Sequence, residues 1–188
     1  VVRVGFIVEG DTEKVLIDSE AFRQWALHHG IQILDPVIDA AGGGNLLPKN
    51  IAPLVERLQM LCPDHVAILT DSEGHSVADV RDRIGTTHTN LVFVAVKAIE
   101  AWFLADDKAM AAWLEAPSFH EAAPEATPAL PWDRLKDLAH SYGRRGPGAS
   151  KVGFAKQMTR HHGFSIAKAA SHPACPSATG FQDTLIAL

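Results

Sequence analysis

The chain is predicted to adopt an α/β fold: a mostly parallel, four-stranded sheet flanked by helices, with a small helical appendage at the C-terminal end. Three observations predict this. Short runs such as Val4–Val8, Val66–Leu69 and Leu91–Val96 are apolar at every position but Gly5, as strands are when helices cover both faces of a sheet. These runs alternate with longer amphipathic segments, the pattern of βα units. The first two runs are followed closely by a carboxylate, Glu9 and Asp71, and the third is followed by Glu100.

Each element has its own justification. Residues 3–9 read as a buried strand, after which Gly10 permits a sharp turn and Asp11 or Thr12 can cap a helix over 12–29. That helix carries Val15, Leu16, Phe22 and Trp25 toward a core and ends at His28-His29-Gly30. Residues 31–38 form a second strand, broken by Pro36, and 40–45 form a loop with three consecutive glycines, Gly42 to Gly44. A helix over 48–61 places Leu54, Leu58 and Leu61 on one face. Residues 65–70 make the third strand, 79–84 a short helix, 91–96 the fourth strand and 99–114 a long helix. Four prolines (Pro117, Pro124, Pro128, Pro131) mark 116–131 as an exposed loop. Helices follow at 132–140 and 151–161, with loops at 143–148 and 173–180 and a short helix at the end. Residues 1–116 are expected to be the core and 117–188 an appendage within the same compact domain.

Composition narrows the class. A chain of 188 residues with 47% apolar content is about one soluble domain. No apolar run approaches the length of a membrane span, and the N-terminus lacks the pattern of a secretory signal. Cys62 and Cys175 are far apart and lack metal-ligand spacing, so they are expected as free thiols in a reducing cytoplasm. The net charge of −5 is unevenly spread: residues 1–137 hold 11 basic and 21 acidic side chains, whereas 138–182 hold six basic ones and no acid. Such asymmetry points either to a polyanionic partner or to a basic segment that neutralises the acidic body.

The acidic residues carry the chemistry. Neighbouring strands lie about 5 Å apart, and open α/β sheets place ligands at the carboxyl ends of their strands. Glu9, Asp71 and Glu100 would then meet at one rim, with Glu13 one helical turn beyond Glu9 and Glu73 two residues beyond Asp71. Left bare, the group is unfavourable, because like charges and burial both disfavour ionisation. A hard divalent cation, Mg²⁺ or Mn²⁺, removes the conflict. Other chemistries fit less well. Gly42-Gly43-Gly44-Asn45 lacks the Gly-Lys-Ser/Thr ending of a P-loop, no nucleophile-elbow pattern is present, and the histidine pairs His28-His29 and His161-His162 sit at helix ends, where cations offset the dipole.

These same segments resemble a known family. Ile7 to Glu13 looks like the first motif of TOPRIM domains, the metal-binding fold of topoisomerases, primases and a group of nucleases. Asp71-Ser72-Glu73 resembles their second motif, in which two aspartates are separated by one residue; Glu73 departs from it by one methylene. Together with Ile99 to Asp106, they resemble small stand-alone bacterial TOPRIM-like proteins related to OLD-type nucleases. The resemblance implies a TOPRIM/Rossmann-like fold and a metal set of Glu9, Glu13, Asp71, Glu73 and Glu100. It implies that Glu9 shuttles a proton and that Lys151, similar to a late lysine of OLD-type nucleases, assists at the phosphate. Arg144, Arg145, Lys151 and Lys156 are expected to hold the nucleic-acid backbone. The resemblance implies a metal-dependent nuclease or phosphodiesterase, on DNA ahead of RNA, working beside a separate ATPase in phage defence and as a homo-oligomer. The alternative is a non-catalytic binding or regulatory subunit on the same scaffold. Topoisomerase activity is disfavoured, since Tyr142 is the one tyrosine.

Overall fold

The computed structural model describes residues 1–89 and 91–188. The sheet is parallel throughout. Strand β1 (Val2–Val8) lies at its centre, with β4 (His65–Asp71) and then β5 (Leu91–Ala95) on one side. On its other side β1 pairs successively with β2 (Ile31–Ile33) and β3 (Ile38–Asp39). The strand expected over 31–38 is thus two short pieces along one edge, interrupted around Pro36, which has no N–H to give to a ladder.

Side chains alternate across the sheet and feed two cores. Val4, Phe6, Val8, Ala67, Leu69, Leu91, Phe93 and Ala95 point to one face, and Ile7, Ile68, Val92 and Val94 to the other. The second face is covered by α3 (Pro48–Gln59) and α4 (Val77–Ile84), through Ile51, Val55, Leu58, Val80 and Ile84. Gly5 makes the closest approach possible, since a Cβ there would stand 3.1 Å from Leu58.

The first face is covered by helices from both ends of the chain. The helix expected over 12–29 is two helices, α1 (Asp11–Ile17) and α2 (Glu20–His28), broken where the Ser19 hydroxyl caps α2 by accepting the Phe22 N–H at 3.3 Å. The helix expected over 99–114 likewise divides into α5 (Glu100–Ala105) and α6 (Asp107–Leu114). The break is Asp106, fully buried, whose carboxylate caps α6 at Ala109 N (3.0 Å) and also accepts Ser165 N–H (2.9 Å). Helices α7 (Pro131–Ser141) and α8 (Lys151–His161) match the expected segments closely, and α9 (Ile166–Ala170) was not anticipated. Helix α10 (Pro176–Ile186) starts within what reads as a loop. Pro176 occupies its first turn, where a missing N–H costs nothing, and Gly180 is carried inside it.

Residues of the first 116 and of the remainder share one continuous core. Phe181 of α10 is its hub, with ring centroids 4.8 Å from Phe93, 5.0 Å from Trp102, 5.8 Å from Phe22 and 6.2 Å from Phe6. Among the described residues, no helix is long and apolar enough to cross a membrane. Phe181→Ala is expected to cost about 3–5 kcal/mol, read as a lowered urea midpoint. Since one core spans both segments, the unfolding transition should stay single.

Candidate functional site

The carboxyl ends of β1, β4 and β5 lie side by side, as their registers require, and the acids converge there. Glu9 follows β1 directly, its N–H continuing the ladder to Leu69 O at 2.9 Å. Its carboxylate crosses to β4: Oε2 accepts the Asp71 N–H at 3.0 Å and the Thr70 hydroxyl. Asp71 ends β4, and its Oδ1 reaches toward the next strand's exit to accept the Ile99 N–H at 2.8 Å. Each acid is therefore anchored through one oxygen on the backbone of the neighbouring strand–loop unit.

Glu13 and Glu100 complete the group from helix starts. Glu13 is 5% exposed and its Oε2 accepts the Gly10 N–H at 3.1 Å, closing the first turn of α1. Glu100 opens α5 and is 1% exposed. Lys151 Nζ stands 3.1 Å from Glu100 Oε1, but neither carboxylate oxygen has a hydrogen bond of good geometry. That lysine opens α8, whose cap is the Ser150 hydroxyl accepting Gly153 N–H at 3.0 Å.

The electrostatics follow from this crowding. Burial, then repulsion from Glu9 and Glu100, pushes the Glu13 carboxyl up to about 7. Burial and the charges of Glu13, Glu100 and Glu9 hold Asp71 well above the usual carboxylate range. Four carboxylates thus share one electrostatic neighbourhood. Their donor chemistry fits a hard divalent ion, and the orphaned oxygens of buried Glu100 are of the kind a cation or water satisfies. The fit is incomplete in one respect: among the described residues, no three of these acids bring oxygens within 4.8 Å of one another. Direct coordination by three of them requires side chains to turn inward, or water to bridge.

The remaining expected residues fall in different places. Glu73 is exposed, in a left-handed backbone conformation (φ 48°), and lines a cleft of about 340 Å³ with Glu9, Thr70, Asp71, Arg83 and the glycine loop. That loop is more than a turn: a Cβ at Gly43 would lie 3.2 Å from Glu9 Oε1, so glycine there leaves room for the carboxylate. Lys156 lies on a groove of about 910 Å³ between α1–α2 and α8, with Lys14 and Arg160. Arg144 and Arg145 are not part of that groove. They line another cleft with Trp113, Gln157 and His162, and Arg144 pairs with Glu115. The basic quartet is therefore split between two surfaces. Sequence reasoning missed Thr70, whose hydroxyl holds Glu9; a threonine at a strand end carries no distinctive signal.

No family model and no curated protein matches the chain. Among solved structures, the chain is similar to the C-terminal region of the OLD protein of Burkholderia pseudomallei, at 19% identity over 98% of this chain and 99% of that one, with a TM-score of 0.49. It is also similar to the C-terminal region of the OLD protein of Xanthomonas campestris pv. campestris, at 19% identity over 98% and 95%, with a TM-score of 0.43.

Two predictions follow from the crowding. The Glu13 carboxyl, with an ordinary value of 4.5, is pushed up to about 7 in the fold. Between these values the folded chain holds a proton that the unfolded chain has released. Stability in the presence of EDTA should therefore fall as pH rises through that window, and Glu13→Gln should flatten the fall in a denaturant series. Asp71→Asn should raise the metal-free melting temperature at pH 8 by a few degrees, since about 1 kcal/mol of relieved repulsion moves a domain of this size by about 2–4 °C. An unchanged or lower value would mean that Asp71 is not strained by its neighbours.

Proposed function

We propose that the chain is a metal-dependent nuclease, or a closely similar phosphodiesterase, acting on nucleic acid. The observation that carries this reading is the hydrogen bond from Asp71 N–H to Glu9, which brings the acidic ends of two adjacent strands together beside Glu13 and Glu100. Glu9, Asp71, Glu13 and Glu100 would hold Mg²⁺ or Mn²⁺, with Glu73 at the rim. Such an ion, when bound, polarises a scissile phosphate and lowers the pKa of a water.

The chain's own residues supply the rest. Glu9 has one oxygen fixed by Thr70 and Asp71, so its other oxygen is held in a set direction toward the Gly43 side of the cleft. Lys151, paired with Glu100 at the edge of the acid cluster, can exchange that partner for a phosphate oxygen and stabilise charge developing there. The groove lined by Lys14, Lys156 and Arg160 also takes in Val152, the chain neighbour of Lys151, and offers a path for a phosphate backbone. Arg144 and Arg145 would contact a longer strand on a separate surface. The ATPase partner, the phage-defence setting and DNA as the preferred substrate extend this reading along the motif resemblance.

The acids' separation favours a second reading, a binding or regulatory subunit that uses the scaffold without turnover. Incubation of plasmid and RNA with Mg²⁺ or Mn²⁺ separates the two. Cleavage is expected, reduced about 100-fold or more in Glu9→Gln and Asp71→Asn, with Lys151→Ala also impaired. Equal cleavage by all four proteins would dismiss the assignment. No cleavage, together with no heat on Mn²⁺ titration, would favour the scaffold.

A further inference from the structure

A second cluster of potential ligands lies apart from the acidic rim. Asp107 comes from the first turn of α6, His120 from the proline-rich loop and His172 from the turn between α9 and α10. One donor atom from each lies within 4.8 Å of the other two, and among the described residues no other trio of His, Cys, Asp or Glu is as close. The cluster borders a cavity of about 240 Å³.

The hydrogen bonds orient these groups. His172 is 5% exposed, and its Nδ1 accepts the Ala174 N–H at 3.1 Å. A backbone N–H can only donate, so Nδ1 carries the lone pair, and Nε2–H donates to Glu121 O at 2.8 Å. A ring nitrogen tied to a backbone carbonyl is the arrangement that fixes a metal-ligating histidine and leaves the other nitrogen as the ligand. Asp107 Oδ2 and His120 Nδ1 are 2.7 Å apart. The His120 ring stacks on His172 at 5.3 Å and 19°. Because His120 is mostly exposed, its ring can turn to aim a nitrogen between the other two, and an ion would replace the local Ala174 contact.

We propose that Asp107, His120 and His172 form a metal site for a divalent transition ion such as Zn²⁺. Two imidazoles and a carboxylate suit that ion, whereas Mg²⁺ prefers all-oxygen sites. Three protein ligands leave one tetrahedral position for solvent. Lys108 and Lys168 line the same cavity, and their charge limits the affinity. An ion bound here joins the proline-rich loop to α6 and to the α9–α10 turn, so it stabilises the folded chain by mass action.

The test titrates the whole chain with Zn²⁺ by calorimetry and with Co²⁺ by visible d–d absorption. One tetrahedral site per chain, beyond any ion held at the acidic rim, is expected, seen as tetrahedral Co²⁺ bands and a raised melting temperature. His120→Ala removes an exposed pair of little structural value, so the metal-free melting temperature should hold while affinity falls at least about 10-fold. The double variant Glu9→Gln/Asp71→Asn should keep the site, which separates this result from the fate of the nuclease reading. Three outcomes overturn the proposal: no Zn²⁺ binding, undiminished binding by His120→Ala, or binding lost in the double variant.

Discussion

Everything at the candidate site depends on like charges held together against their own repulsion. Glu9, Glu13, Asp71 and Glu100 are brought to one sheet edge and partly or wholly removed from water, where a carboxylate is costly unless it is compensated. Compensation comes mainly from the backbone. The N–H groups of Gly10, Asp71 and Ile99 each donate to one acid, and the Thr70 hydroxyl donates to Glu9. These donors belong to the strand ends and helix starts themselves, so the acids cannot disperse without unmaking the local fold.

The second half of the chain completes that arrangement. Its helices bury Trp102, Phe93 and Phe6 under Phe181, and α8 brings Lys151 against Glu100. This lysine is the cation paired with the most deeply buried acid of that cluster. The basic segment therefore does two things at once: it packs on the acidic body through Lys151, and it leaves Lys156 and Arg160 on an open groove. The two explanations of the charge asymmetry are thus compatible.

Much of the fold was legible because its signals are local. Apolar runs bounded by acids and glycines mark β1, β4 and β5, and their order along the chain forces a parallel sheet. The errors also have local causes. Ser19 and Asp106 look like ordinary helix-surface residues, yet each caps a new helix. Pro176 and Gly180 read as breakers, yet proline at a first turn and one interior glycine are tolerated where packing around Phe181 is strong. The site was legible in its acids and less so in its cations. Arg144, Arg145, Lys151 and Lys156 are near in sequence, but the 143–150 loop and the turn of α8 send them to different surfaces.

The sequence by itself determined the strand-and-helix alternation and the placing of an acid at or near three strand ends, because periodicity and turn chemistry act over a few residues. Only the tertiary structure decided which atoms meet. Strand register set Asp71 N–H against Glu9, helix packing set Lys151 against Glu100, and chain crossing gathered Asp107, His120 and His172. Such pairings span tens of residues, and no local pattern encodes them, because they arise from how separately formed elements fill a common core.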